Sequence, residues 1–267
     1  MLSIEWIILY IALGTFVGFM SGLLGVGGGG LLVPLLTSVF MYQGISSNNI
    51  MHLALATSLA CMIFTSISSV YAHTSKGTVL WNVVTGMTPG IMMGAFITTQ
   101  VASHLNSNYV ALFFALFMAL IALQTFLKWS PKPSKNPMNL FGLIIAGIGI
   151  GSGSAIAVVG GGFLTVVYLS YKNIDIKKAI GTSAAIGLPI AITSTIGYML
   201  SGWTTKVELP NTYGFIYLPA FILISFASVI SATLGARCSH SFSEIILKKI
   251  FAIVCLTLSF KMLISFW

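Results

Sequence analysis

Two runs of glycine, Gly27 to Gly30 and Gly160 to Gly162, each leading into a short apolar piece, carry the most specific chemistry in this chain. Without a Cβ, successive glycines let backbone N–H groups converge into an anion-binding nest. A helix that begins just after them adds its unbonded first-turn donors and the positive end of its dipole. That is equipment for holding an anion. Hydroxyls recur with the same duplication, as Thr57 and Ser58 in an ATS triplet and Thr182 and Ser183 in a GTS triplet. Each can donate to a substrate or bond back to the carbonyl a turn earlier. Ser66, Ser69, Thr193 and Ser194 form a second tier. A single glycine spacing would only ease close helix crossing, as small residues do throughout membrane bundles. Two equivalent runs, each at a helix break, point instead to a site. The candidate substrate-binding residues are Gly28, Gly29, Gly30, Gly160, Gly161, Gly162, Thr57, Ser58, Thr182 and Ser183.

Other chemistries lack their residues. Glu5, Asp175, Glu208 and Glu244 are the only carboxylates, and all fall at or beyond apolar segment ends, so a buried acidic proton relay is not expected. His52, His73, His104 and His240 also fall near segment ends and read as wetted surface histidines. Cys61, Cys238 and Cys255 sit in apolar segments with no CxxC spacing, as small hydrophobes would. No metal or other cofactor is expected. A membrane enzyme would need a buried nucleophile with its base, or a metal motif such as HExxH, and neither is present in the sequence. The net charge of +8 is spread singly or in small groups between apolar segments, so nucleic acid is not the expected partner.

Something must position those glycines. With 57% hydrophobic and 6% charged residues over 267 positions and a mean hydropathy of +1.01, the chain cannot cover a water-soluble globule and belongs in a bilayer. The first apolar segment has no basic leader and no cleavage site, so it is expected to stay in the protein. Long segments are predicted near 5–26, 48–72, 80–103, 109–128, 139–159, 178–200, 214–236 and 246–266, with short pieces at 30–42 and 162–171 after the glycine breaks. Pro34 is placed in the first turn of its short piece, and Pro89 and Pro219 are expected to kink their helices. The halves superpose as sequence: Gly28 to Leu36 on Gly160 to Tyr168, ATS on GTS, Pro89 on Pro219, and Ser103–His104 on Ser239–His240. This reads as a duplication, with residues 1–128 the first repeat, 129–138 a hydrophilic linker and 139–267 the second repeat.

Charge then chooses the topology. If each short piece returns the chain, ten of the 12 basic residues share one side, and only Lys206 and Lys261 oppose them. If the short pieces do not change sides, the split is six against six. The positive-inside rule selects the first arrangement, with both termini outside and the linker cytoplasmic. Five side changes per half invert the second repeat relative to the first. The expected fold is therefore an all-α polytopic transmembrane bundle of two inverted repeats, each of four long helices plus one short helix after a glycine break. Inverted repeats with broken helices are a signature of secondary transporters. If the two short helices meet near the midplane, they could clamp one anion. A passive anion-selective channel could be built from the same parts.

The segments GFMSGLLGVGGGGLLVPLL, GIGSGSAIAVVGGGFLTVVYL and KKAIGTSAAIGLP, and LGAR at Leu234 to Arg237, resemble the TauE/SafE family of membrane permeases, often described as sulfite exporters, over essentially the whole chain. The resemblance implies a multi-pass permease of the bacterial inner membrane that carries sulfite, a sulfonate or another small organic anion. Its partners would be that anion and the lipid bilayer, and a homodimer is left open. The first half carries Ala102 to Leu105 where the second carries the family-like GAR, so any role for Arg237 is single-copy.

Overall fold

The computed structural model describes residues 3–24, 28–45, 49–127, 138–159, 161–205, 209–239 and 244–266. Gly160, His240 and all of the linker except Met138 lie outside them. Ten helices follow in order: α1 (Ile4–Leu24), α2 (Gly29–Tyr42), α3 (Ile50–Ser75), α4 (Trp81–Ser103), α5 (Ser107–Leu127), α6 (Leu140–Ala157), α7 (Gly162–Tyr171), α8 (Ile176–Thr204), α9 (Leu218–Ser239) and α10 (Glu244–Phe266). Six of them are long and apolar enough to cross a bilayer. α4 has the length but is diluted by Asn82, Thr85, Thr88 and Thr98. Large apolar side chains such as Phe16, Phe226 and Phe260 are exposed, as suits an outer surface wetted by lipid.

Sequence neighbours do not make the principal contacts. α1 packs along α9, and α4 along α6, so the first helix of each repeat lies on the fourth helix of the other. Small residues allow both approaches: a Cβ on Gly14 would lie 2.8 Å from the Ile224 carbonyl, and Gly90, Gly94, Gly147 and Gly151 leave no more room between α4 and α6. α3 packs on α8, and α5 on α10, as the two self-paired elements of a pseudo-two-fold arrangement.

Contact register fixes helix direction. Gly14 meets Ile224 and Gly235 meets Phe19, so α1 and α9 are parallel. The Thr57–Tyr217 and Cys61–Phe221 contacts make α3 parallel to α9 as well. α1 and α3 therefore run the same way, and α2 must return the chain. In the second repeat, Gly90 and Gly94 meet Ile144 and Ile148, while Leu80 and Gln100 meet Thr182 and Gly197. α6 and α8 are both parallel to α4, so α7 also returns the chain. His52 of α3 packs near Tyr198 late in α8, whereas Thr78 just beyond α3 packs on Gly181 early in α8. α3 and α8 are antiparallel, and the repeats are inverted.

Four local expectations are corrected. The segment expected to be helical from 214 begins instead with a hairpin, β1 (Thr212–Tyr213) and β2 (Ile216–Tyr217), because Asn211 (φ 62°) and Gly214 (φ 61°) take left-handed conformations that end the helical path. Pro34 is the sixth residue of α2, beyond its first turn, whereas Pro219 is the second residue of α9, where a missing N–H costs little and forces no kink. His52 is 1% exposed rather than wetted. Its Nε2 donates to the Ala102 carbonyl at 2.9 Å, and the Ser107 hydroxyl lies 3.4 Å from Nδ1.

Candidate substrate site at the paired helix breaks

Both short helices start in the same way. Gly28 precedes α2 at φ 68°, ψ −16°, and Gly161 precedes α7 at φ 69°, ψ −12°. This left-handed geometry costs an L-residue about 1–2 kcal/mol and glycine almost nothing. No side chain caps either start. The first-turn amides therefore keep donors that the helix itself cannot satisfy.

The two breaks touch. A Cβ on Gly29 would lie 2.6 Å from Val158 Cγ1 and 2.8 Å from the Val158 carbonyl, and one on Gly30 would lie 3.2 Å from the Ala157 carbonyl. Val158 ends α6 at φ 53°, ψ 33°. A β-branched residue in that region stores about 1–3 kcal/mol, and such strain collects at functional sites. Depth follows from the long helices. Gly29 approaches Met62 Sδ (3.1 Å from its would-be Cβ), and Met62 stands midway along α3. Gly161 approaches Ile190 Cδ1 (2.7 Å), and Ile190 stands midway along α8. Each helix start is thus level with the middle of one of the two longest helices.

The predicted hydroxyls divide. Thr57 Oγ1 accepts from the Tyr217 N–H at 3.1 Å, at the threshold of α9, and Thr182 Oγ1 accepts from the Leu80 N–H at 3.0 Å, at the threshold of α4. Each threonine holds a helix start of the opposite repeat, and both are fully buried. Ser183 donates to the Ile180 carbonyl at 2.8 Å. Ser58 is different: it is 0% exposed and its hydroxyl has no partner among the described residues. It lies one turn along α3 from Met62, which approaches Gly29 at the start of α2.

Further hydroxyls without a partner among the described residues lie on the helices that flank the second break. Ser154 lies in the last turn of α6, Thr165 in the first turn of α7, and Thr193, Ser194, Thr195 and Tyr198 follow Ile190 along α8. Elsewhere helical Ser and Thr bond back, as Thr37 does to the Val33 carbonyl and Thr88 to that of Val84. A buried hydroxyl left unpaired costs about 1–3 kcal/mol. Ser154, Thr165, Thr195 and Tyr198 escaped the sequence reading. The GSGSA run just before the second break could have indicated Ser154; Tyr198 has no local signature.

Comparison with known proteins gives the family. The chain is 31% identical over 261 residues to a "Probable membrane transporter protein" of Haemophilus influenzae, covering 97% of this chain and 99% of the relative. It is 26% identical to the "Probable membrane transporter protein YdhB" of Bacillus subtilis, covering 86% and 89%. A probable membrane transporter protein of Methanocaldococcus jannaschii is 27% identical, with 88% and 87% covered. The family described as "Sulfite exporter TauE/SafE" matches residues 10–262, and this chain, with its inverted repeats and paired breaks, belongs to that family of multi-pass membrane transporters.

Proposed function

We propose that this transporter carries a small anion, of the sulfur oxyanion or organic sulfonate class suggested by the family's description, across a bacterial inner membrane by alternating access of its two repeats. The observation that carries the reading is the contact between the two glycine breaks, where Gly29 and Gly30 at the uncapped start of α2 pack on Val158 and Ala157, just ahead of the uncapped start of α7, with Ser58 one turn along α3 from Met62 at the same break. Each helix start favours a nearby anion by up to about 2 kcal/mol when partly buried. Backbone amides and hydroxyls then meet the charge without a basic side chain, which suits a weak site with fast release. Gly160 would belong to the same nest. The Thr57 and Thr182 hydroxyls hold the frame, and Ser58 carries the direct contact.

Ten basic residues on the linker's side support a cytoplasmic linker. An anion leaving a negative interior gains about 2.3 kcal/mol per charge per 100 mV, so export needs no coupled ion. The decisive experiment is counterflow in proteoliposomes with sulfite, sulfate, thiosulfate, short sulfonates and carboxylates. Saturable counterflow of at least one of these anions is expected. Electrical conductance far above carrier turnover would identify a channel instead, and failure of every anion would remove the substrate class.

A further inference from the structure

The connection between α8 and α9 differs from its counterpart in the first repeat. Between α3 and α4 the chain needs only Lys76 to Leu80, with no strand. Between α8 and α9 it builds the β1–β2 hairpin and drives it into the bundle. Phe215 at the turn is 0% exposed, its ring 5.3 Å from that of His52 and 6.4 Å from that of Tyr198, the latter edge-on. Tyr217 packs on Phe40 at 5.5 Å and Tyr10 at 6.3 Å, and Tyr10 donates to Gln43 Oε1. Glycine permits the seating: a Cβ on Gly202 would strike the Phe215 nitrogen, and one on Gly214 would strike the Met199 carbonyl.

Beneath this seal lies a buried polar strip. Tyr198 is 0% exposed and its hydroxyl has no partner among the described residues. One turn inward Ser194 is equally buried and unpartnered, and a further turn inward Ile190 abuts the second glycine break. On α3, Ser58 lies between His52, which touches the Phe215 ring, and Met62, which abuts the first break. Tyr198 and Ser194 on α8 and Ser58 on α3 therefore lie between the Phe215 seal and the two glycine breaks. Packing alone would favour Phe over Tyr at position 198, since a buried phenol without a partner is a cost.

We propose that the β1–β2 hairpin is a gate found in one repeat only, closing the hairpin end of the α3–α8 crossing, and that the Tyr198 hydroxyl is the first donor a passing anion meets when Phe215 withdraws. The gate rests on the reading of that crossing as the anion's path. Because Phe40, Tyr10 and His52 line its socket, opening it requires the starts of α1 and α3 and the end of α2 to loosen together, so it is tied to motion between repeats.

The test uses the full-length chain with Cys61, Cys238 and Cys255 replaced by alanine and Ser194→Cys as reporter. An impermeant maleimide is applied to right-side-out and to inverted vesicles. In this parent, labelling from the hairpin face should be slow. Phe215→Leu should speed it by about tenfold, as loss of two aromatic contacts would, with labelling from the other face unchanged. Equal rates in parent and variant, or a rise from both faces, would overturn the gate. In counterflow, Tyr198→Phe should raise KM by about tenfold, the scale of one hydrogen bond to a charged group, with thermal stability unchanged or higher. An unchanged KM would remove Tyr198 from the path. Labelling needs no transported anion, so the gate can fail while the substrate reading stands, and the reverse.

Discussion

Ser58 and Ser183 occupy matching positions in the two repeats and meet opposite fates. Ser183 is satisfied by the Ile180 carbonyl, whereas Ser58 is buried with no partner. Ser58→Ala should therefore raise substrate-free stability by about 1 kcal/mol while raising KM for the transported anion. Ser183→Ala should change neither transport constant. Thermal unfolding in detergent beside counterflow separates the two, and a Ser58→Ala variant with native KM would remove Ser58 from the site. The glycines make a parallel case. Gly29→Val should abolish counterflow, because its side chain must displace Val158 at the opposite break. Gly149→Val is the matched control: Gly149 is also helical and without a positive φ, but nothing lies within 4 Å of an added Cβ. It should transport normally. Equal loss of transport in the control would mean that a β-branched residue in a helix, not contact between breaks, explains the Gly29 effect.

Helices in this protein are held at their starts by the other repeat. Thr57 accepts the Tyr217 N–H before α9, and Thr182 accepts the Leu80 N–H before α4. Valine at either position keeps the shape and strands a buried amide, which should cost about 1–3 kcal/mol. The two sites are held apart by antiparallel α3 and α8, so the double variant should lose close to the sum of the single losses. Coupling well beyond about 0.5 kcal/mol in a double-mutant cycle would show instead that both bonds report one shared rearrangement. Helix number and helix extent were readable from apolar length and glycine breaks, and the predicted short pieces at 30–42 and 162–171 fall on α2 and α7. The β1–β2 hairpin was not readable, since Phe215, Ile216 and Tyr217 are as apolar as the helix that follows and hydropathy cannot separate a buried strand from a span.

Across the whole molecule, each repeat is completed by the other: α1 lies on α9, α6 on α4, and α3 and α8 form the shared centre. A half expressed alone leaves those faces bare. Co-expression of residues 1–133 and 134–267 as separate chains should restore membrane-stable protein and counterflow, while either half alone should be degraded. Stable accumulation of a single half would contradict this interlocked packing. A reporter inserted within 129–138 should be cytoplasmic, as the charge count predicts; an outer-face signal would reverse the assigned orientation but not the inversion, which rests on contact register.

What the sequence determined by itself was the environment, the helical class, the duplication, the resemblance to a permease family and the glycine breaks. These depend on composition, segment length and backbone freedom, which are local quantities. Ser58 was legible as a candidate, but its contrast with Ser183 was not, because the packing around each helix decides whether a serine bonds back to its own turn, as Ser183 does to the Ile180 carbonyl, or keeps its hydroxyl free, as Ser58 does. Only the tertiary structure decided that the breaks touch at Gly29 and Val158, that Thr57 and Thr182 bond to the opposite repeat, and that His52 and Tyr198 are buried beneath a hairpin. Each of those facts joins residues more than 100 positions apart, or sets the burial of one side chain by packing from several helices, and no periodicity along the chain encodes such a pairing.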